Sequence, residues 1–323
     1  MKLKELLKGM NVLETNVDPE LDITGVFYDS RKVEEGSLFA AITGFAADGN
    51  RFIPMALSKG AAAVVTAKKP EGDVPYILVD NDRLALAQLG INWYGRPAEA
   101  MTLIGVTGTN GKTSTTLLLK QVLEKCRSAK VGLIGTMSNL IGDVEIPTER
   151  TTPESFDLQG LFARMRDNGC THVVMEVSSH ALTLDRVGGV RFNVAAFTNL
   201  TEDHLDFHKT MDAYCDAKAE LFARCDKAVI NVDDNCAPRM LEKAECNVLR
   251  TSAYDADLYA KDAVLHSEGV AFTAVSGGEE VAVNLPIPGK FTVYNALSVI
   301  GIAKQLGISR TTLYEKIKRY NLE

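Results

Sequence analysis

Residues 102–126 of this 323-residue chain read TLIGVTGTNGKTSTTLLLKQVLEKC. An apolar run typical of a buried strand is followed by a glycine-rich loop and then by a helical pattern. Gly108 and Gly111 allow the loop to bend so that its N–H groups face phosphate oxygens at the helix N-terminus. In such a loop Lys112 reaches the β- and γ-phosphates, and the Thr113 hydroxyl binds Mg²⁺. The stretch therefore predicts a nucleoside triphosphate site in an α/β domain.

The loop matches a variant of the Walker A motif, because Val106 stands where the strict spacing has glycine. The alternative interpretation is a glycine-rich turn that only joins a strand to a helix. The Gly-Lys-Thr triplet between a strand and a helix favours the nucleotide site.

Short strands and helices alternate along most of the chain, with a break at Gly95-Arg-Pro97. Alternation of this kind predicts a mostly parallel sheet with ligands at the carboxyl ends of its strands. The predicted strands are Ile23–Tyr28, Ser37–Ile42, Ala61–Thr66, Tyr76–Val79, Leu103–Val106, Val131–Gly135, His172–Val177, Asn193–Phe197 and Ala228–Asn231. The predicted helices are Phe52–Lys59, Asp82–Trp93, Ser114–Cys126, Phe156–Asn168, Thr210–Arg224 and Val293–Leu306. We therefore predict an α/β protein with an N-terminal mixed α/β domain, residues 1–98, and a central P-loop domain, residues 99–323.

The charge balance, 42 acidic against 35 Lys and Arg residues, gives a formal charge of −7. This balance argues against nucleic acid as the main partner, because phosphate binding favours a basic surface. No apolar run approaches the ~20 residues that cross a bilayer, and the charged start predicts an amphipathic helix instead of a signal peptide. Six scattered cysteines without a CxxC pair predict free thiols in a reducing cytoplasm.

Two further segments carry candidate metal ligands. The apolar run 172–176 ends in Glu176, where P-loop enzymes place a metal-binding carboxylate; the alternative is a solvated acid at a strand end. The segment after residue 200 contains His204 and His208 among several acids, at the same predicted sheet edge. No Glu follows His204, so a zinc HExxH motif is excluded. We favour His204 over His208 as a ligand for metal or phosphate.

Lys218 lies on the apolar stripe of the predicted helix 210–224. One interpretation is that its ammonium reaches solvent along the apolar stem. The other is that a desolvated amine has a lowered pKa and reacts with CO₂, which gives a carboxylate able to bind Mg²⁺. The residues alone leave both open.

Together these motifs resemble those of the Mur ligases, ATP-dependent amide-bond synthetases of cell-wall precursor assembly. The resemblance covers nearly the whole chain and includes Asp29-Ser30-Arg31, Asp48-Gly49, the phosphate loop 108–113, Thr151-Thr152-Pro153-Glu154-Ser155, Glu176-Val-Ser178-Ser179-His180, Asn199-Leu-Thr-Glu-Asp-His204, Ala217-Lys218 and Gly289-Lys-Phe-Thr-Val-Tyr-Asn295. It implies addition of a diamino acid, meso-diaminopimelate or L-lysine, to UDP-N-acetylmuramoyl-L-alanyl-D-glutamate through an acyl phosphate.

The resemblance also implies a role for each matching residue. ATP would be held by Gly108, Thr109, Asn110, Gly111, Lys112, Thr113, Ser114 and Asn295. Mg²⁺ would be held by Thr113, Glu176, His204 and a carbamylated Lys218, with Lys112, Lys218 and His204 as the catalytic residues. The UDP-linked substrate would be held by Ser30, Thr151, Thr152, Ser178 and Arg186. Two departures from the family pattern, Asn50 and Thr292, weaken individual contacts.

Three alternatives remain at the level of sequence. A folylpolyglutamate synthetase shares the phosphate loop and the lysine, but the Asp29-Ser30-Arg31 segment argues against it. A catalytically silent module would bind ATP and the UDP-substrate without releasing phosphate. A motor or switch ATPase would need a transducing element, of which we see no sign. The resemblance further implies a third domain after residue 323, so we expect this chain to bind the UDP-substrate, and ATP weakly, but to turn over poorly or not at all. The sequence does not indicate an oligomeric state.

Overall fold

The computed structural model describes residues 1–44 and 47–308, which form two compact units. Unit 1 comprises Met1–Glu99, Glu154–Ala163 and Leu184–Gly189. Unit 2 comprises Ala100–Pro153, Arg164–Thr183 and the described residues from Val190 onward. The predicted domain 1–98 therefore lacks two segments that unit 1 contains. The end of the predicted second domain, 309–323, lies outside the described residues.

Unit 1 is built around a sheet in which five strands are described, in the order β1-β5-β4-β3-β2. They are β1 (Val12–Thr15), β2 (Val26–Phe27), β3 (Leu38–Ala40), β4 (Ala63–Thr66) and β5 (Tyr76–Val79). The helices are α1 (Leu3–Leu6), α2 (Ile53–Ser58) and α3 (Asp82–Trp93). Four of these strands pair in parallel, whereas β1 pairs antiparallel with β5. The segment 154–163 joins this unit because Phe156 packs against Tyr94, with ring centroids 5.3 Å apart.

Unit 2 contains one sheet with eleven described strands, in the order β16-β15-β14-β13-β12-β11-β6-β10-β7-β8-β9. They are β6 (Thr102–Thr107), β7 (Val131–Ile134), β8 (Asn139–Ile141), β9 (Val144–Ile146), β10 (His172–Glu176), β11 (Val194–Phe197), β12 (Lys227–Asn231), β13 (Asn247–Ser252), β14 (Leu258–Leu265), β15 (Val270–Ser276) and β16 (Glu279–Leu285). Strands β14 to β7 in this order pair in parallel, and antiparallel hairpins extend both edges. The predicted α/β fold with a mostly parallel sheet is confirmed.

The remaining helices are α4 (Lys112–Arg127), α5 (Ser155–Asp167), α6 (Ser179–Thr183), α7 (Leu205–His208), α8 (Met211–Ala219), α9 (Ala237–Lys243) and α10 (Lys290–Gln305). Helices α4 and α10 bury apolar faces against the sheet, with Leu119, Leu297 and Ile302 inaccessible to solvent. Burial of this apolar stripe is the main force that fixes α4, and with it the loop before α4, on the sheet. Within the described ranges, the structure has no helix that is both long and apolar enough to span a membrane.

Two sequence predictions about local structure are wrong. The helix predicted for 210–224 ends at Ala219 and is followed by a 3-10 turn, Phe222–Arg224. Adjacent Leu221 and Phe222 are both buried, and a regular α-helix would turn one of them about 100° away from the other. The strand predicted for residues 23–28 is only Val26–Phe27, because its single neighbour, β3, is itself only three residues long and pairs with it at two positions.

The predicted set of free thiols is also wrong for one pair. Cys215 in α8 and Cys236 before α9 are joined by a disulfide, with their Cα atoms 6.1 Å apart. The other four cysteines, all within the described residues, are not disulfide-bonded. Linear spacing could not show this pairing, because the two residues meet only where α8 packs beside α9.

Candidate active site

The phosphate loop leads from β6 into α4 and depends on two glycines. Gly108 and Gly111 have φ values of +148° and +85°, which side chains with a Cβ rarely adopt. A Cβ on Gly108 would overlap Thr198 Oγ1, and a Cβ on Gly111 would overlap Asn295 Oδ1. The loop therefore forms a cradle of bare backbone at the N-terminus of a 16-residue helix, the geometry expected of a phosphate site.

Lys112 lies inside this cradle. Its Nζ donates hydrogen bonds to the carbonyl oxygens of Gly108 (2.8 Å) and Thr109 (2.9 Å). Burial lowers the pKa of Lys112, and the nearby carboxylates of Glu176 and Asp203 raise it in part. A desolvated ammonium surrounded by loop carbonyls is suited to exchange those carbonyls for phosphate oxygens.

The segment after β11 supports the loop from the side. Thr109 N donates to Asn199 O (2.8 Å), and Asn110 N donates to Asn199 Oδ1 (3.0 Å). Thr198 Oγ1 donates to Asn110 O at 2.7 Å. The roles of Thr198 and Asn199 were missed by sequence reasoning, although Asn199 belongs to a motif of the family resemblance. Thr198 and Asn199 reach the phosphate loop because they follow β11, which pairs with β6, the strand that leads into the loop.

Glu176 and Thr113 are brought together as the sequence predicts. Glu176 ends β10, opposite Val106 of β6, and its side chain is buried. Thr113 Oγ1 donates to Glu176 Oε1 at 2.9 Å. Thr136, which sequence reasoning missed, donates to the same carboxylate through its N–H (3.1 Å) and hydroxyl (2.9 Å). A carboxylate and a hydroxyl beside a phosphate loop are the hard oxygen donors that Mg²⁺ prefers.

Lys218 is buried, with 1% of its surface exposed, so the interpretation that its ammonium reaches solvent is wrong. Its Nζ donates to Gly108 O at 2.9 Å and lies 4.5 Å from the ring centroid of Tyr214. Burial, followed by the positive charge of Lys112, lowers the pKa of Lys218 well below its ordinary value, and Asp203 opposes them. The amine therefore has the environment that favours its neutral, nucleophilic form.

The two histidines of the 204–208 segment differ in their surroundings. The His204 side chain is 46% exposed and packs edge-on against His180, with centroids 4.9 Å apart. His208 is buried, and its Nε2 lies 2.8 Å from Ser179 Oγ. The ring of His208 is thus already engaged within the protein, whereas His204 has space for a ligand. The assignment of His204 as a metal ligand stays a prediction.

Five of the predicted substrate and nucleotide residues also lie in unit 2. Thr152 Oγ1 donates to Glu176 O (2.9 Å) and accepts from Ser178 N (3.2 Å), and Thr151 Oγ1 lies 3.1 Å from Thr136 Oγ1. Asn295 is buried next to Gly111, and its Oδ1 has no hydrogen-bond partner among the described residues. Ser114, on the first turn of α4, is exposed.

Ser30 and Arg186 belong to unit 1. Ser30 is buried and its hydroxyl lies 3.4 Å from Met55 Sδ. Arg186 Nε lies 3.5 Å from Glu154 Oε2, while Oε1 of the same carboxylate lies 3.4 Å from Arg83 Nη1. Arg83 also donates to Leu184 O (3.0 Å). Glu154 and Arg83, missed as functional candidates, therefore tie together the three chain segments of unit 1.

We expect the imidazole of His208 to stay neutral from pH about 8 to about 5, because burial lowers its pKa to about 4 from an ordinary 6.5. At a pH between the folded-state pKa of about 4 and the ordinary pKa of 6.5, the His208 imidazole is protonated in the unfolded chain and neutral in the folded chain. The contribution of His208 to the free energy of unfolding is therefore lost as pH falls from about 6.5 to about 4. The pKa is measured by following the His208 ring-proton NMR resonance against pH, and the resonance is assigned by its absence in His208→Gln. A titration midpoint near 6.5 would contradict the prediction.

Comparison with known proteins identifies the family. The "Mur ligase middle domain" model matches residues 106–303, and the "Mur ligase family, catalytic domain" model matches residues 22–94. The first of these covers more than half of the chain. The chain belongs to the Mur ligase family. A third model, "Bacterial regulatory protein, Fis family", matches only residues 301–320, most of which lie outside the described residues.

Two similar relatives are each named UDP-N-acetylmuramoyl-L-alanyl-D-glutamate–2,6-diaminopimelate ligase. The Clostridium tetani enzyme is 46% identical over 96% of this chain and 65% of its own length. The Caldanaerobacter subterraneus enzyme is 45% identical over 100% of this chain and 67% of its own length. This chain thus spans about two thirds of the length of these relatives.

Solved structures agree on the fold. A structure of a ligase with the same name has a TM-score of 0.85 at 28% identity, covering 99% of this chain and 66% of that chain. A Thermotoga maritima MurF ligase in complex with ADP has a TM-score of 0.60 at 22% identity, covering 90% of this chain and 66% of that chain.

Proposed function

We propose that this chain is the nucleotide-binding and UDP-substrate-binding part of a UDP-N-acetylmuramoyl-L-alanyl-D-glutamate–2,6-diaminopimelate ligase. The observation that carries the proposal is the convergence of Lys112, Thr113, Glu176 and the buried amine of Lys218 around one phosphate loop. Residues 1–98, with the two segments added to unit 1, would bind the UDP-substrate, and unit 2 would bind ATP. Because both substrates are cytoplasmic metabolites, we place the protein in the cytoplasm.

In the proposed reaction the D-glutamate carboxylate attacks the γ-phosphorus of ATP, and ADP leaves. An amine of the acceptor then attacks the acyl carbon of the resulting acyl phosphate, loses a proton and expels inorganic phosphate. The loop N–H groups and Lys112 would hold the phosphates in line, since positioning and charge neutralisation supply most of the rate in phosphoryl transfer. Asn295 Oδ1, buried and unsatisfied, would accept a hydrogen bond from the adenine amino group.

The donor set fits Mg²⁺, which would neutralise charge on the transferring phosphoryl group when bound. The described residues hold no cluster of three or more His, Cys, Asp or Glu side chains suited to a metal. Thr113, Glu176 and His204 supply a single carboxylate, so a further anionic donor would strengthen the binding of a divalent cation. We propose that the neutral amine of Lys218 attacks CO₂, forming a carbamate and releasing one proton, and so supplies that carboxylate.

Within unit 1, we propose Ser30 and Arg186 as residues that bind the UDP-linked dipeptide. Within unit 2, we propose Thr151, Thr152 and Ser178 as residues that bind it. Glu154 would orient the Arg186 guanidinium for binding of the substrate carboxylate. Its Oε2 forms an ion pair with Arg186, and its Oε1 forms one with Arg83. The names of the relatives favour diaminopimelate as the acceptor over L-lysine.

The test is a coupled phosphate-release assay with ATP, UDP-N-acetylmuramoyl-L-Ala-D-Glu and each acceptor, meso-diaminopimelate or L-lysine, on this chain and on any longer form of it. We expect any longer form to release phosphate only when both the dipeptide substrate and diaminopimelate are present, and this chain alone to release little. Binding of ATP and the UDP-substrate with no release in any form would indicate a silent module. Release with a folate and glutamate would indicate a folylpolyglutamate synthetase.

A further inference from the structure

The short segment from His204 to Lys209 has a strained backbone. His204 and Lys209 have φ values of +51° and +67°, although neither is glycine. Between them lies the single turn of α7. Left-handed conformations at such residues persist only where the surrounding structure holds them. Something outside the segment must therefore fix it.

His208 provides the anchor. Its Nε2 lies 2.8 Å from Ser179 Oγ, and both side chains are buried. The ring packs against Tyr214, with centroids 4.9 Å apart. The backbone N–H of His208 donates to His204 O at 3.0 Å. The His208 ring, together with His180, whose ring centroid lies 4.1 Å from that of Phe207 and 4.9 Å from that of His204, thus holds the segment against α6.

The partner of His208 lies on the other ligand-bearing segment. Ser179 begins α6, three residues after Glu176 at the end of β10. One buried hydrogen bond consequently connects the segment that carries Glu176 with the segment that carries His204. Ser179 and His208 are not among the proposed ligands, so any effect that they have on cation binding acts through the positions of Glu176 and His204.

We propose that Ser179 and His208 are positioning residues that set the separation of Glu176 and His204 for divalent-cation binding. This inference rests on the proposed function, in which those two residues hold Mg²⁺. Residues that orient metal ligands through buried hydrogen bonds usually affect metal affinity strongly. Removal of one partner also leaves the other buried without its hydrogen bond, which favours displacement of the segment.

The experiment measures the Mg²⁺ concentration that half-saturates binding of a fluorescent ATP analogue to the chain. We expect Ser179→Ala to raise that concentration about tenfold, and to change affinity for the analogue without Mg²⁺ by less than about twofold. Ser179→Thr keeps the hydroxyl and is expected to stay near wild type. His208→Gln, whose amide nitrogen reaches the same position, should retain far more Mg²⁺ affinity than His208→Leu.

A second measurement on the metal-free chain uses hydrogen exchange. The amides of Phe207, His208 and Lys209 donate within the segment and should exchange faster in Ser179→Ala. Faster exchange with unchanged half-saturation by Mg²⁺ would show a structural role only and overturn the inference. Equal weakening of analogue binding with and without Mg²⁺ would overturn it too. Failure of the wild-type chain to bind the analogue in a Mg²⁺-dependent way would instead refute the proposed function itself.

Discussion

Lys218→Met is expected to lower ATP-dependent ligation by on the order of a thousandfold, the scale seen when one group that stabilises developing charge is removed. The amine of Lys218 is buried, donates to Gly108 O and has a lowered pKa. Methionine fills a similar volume but can form no carbamate. Because it also removes a buried polar group, the melting temperature should not fall. Phosphate release by a form of the chain that is active in ligation measures the effect.

A matched control is Lys243→Met, which removes an exposed lysine whose Nζ lies 2.7 Å from Glu220. Exposed ion pairs contribute little to stability, so rate and melting temperature should stay near wild type. A ¹³C NMR carbamate signal after labelling with ¹³C-bicarbonate should be present in the wild type and lost in Lys218→Met. Ligation that survives Lys218→Met would refute the proposed metal site.

Gly108→Ala is expected to weaken ATP binding about a hundredfold. A φ of +148° is unfavourable for alanine, and its Cβ would overlap Thr198 Oγ1, which holds Asn110 O. Backbone strain and overpacking together cost about 3 kcal/mol, which corresponds to about two orders of magnitude in affinity. Titration with a fluorescent ATP analogue measures the loss.

Gly169→Ala is the control for strain alone. Gly169 also has a positive φ, +77°, but beyond its chain neighbours no atom lies within 4 Å of the position that an alanine Cβ would occupy. The substitution should lower stability slightly and leave ATP affinity unchanged. If both alanine variants bind ATP like the wild type, the loop does not need the bare backbone that its geometry indicates.

The parts of the site that could be predicted from sequence are those encoded by local patterns. The spacing of Gly108, Gly111 and Lys112 defines a loop between a strand and a helix, and Glu176 ends an apolar run. Lys218 was noticeable because a charge interrupted an apolar stripe. Each of these signals lies within one short continuous stretch of the sequence.

The parts that could not be predicted depend on distant residues. Thr136 reaches Glu176 because β7 and β10 are neighbours in the sheet. Glu154 meets Arg83 across 71 positions of sequence. The early end of α8 follows from burial of two adjacent side chains, and the Cys215–Cys236 disulfide follows from helix packing. Periodicity within one helix contains no information on any of these contacts.

The discontinuous make-up of unit 1 has a consequence for synthesis on the ribosome. Its last segment, Leu184–Gly189, begins more than eighty positions after Glu99, where the N-terminal stretch of the unit ends. Arg83 cannot reach Leu184 O or Glu154 until those residues have left the exit tunnel. Unit 1 therefore cannot be completed when only its first 99 residues have emerged, and a fragment ending at residue 98 would lack both of these partners of Arg83.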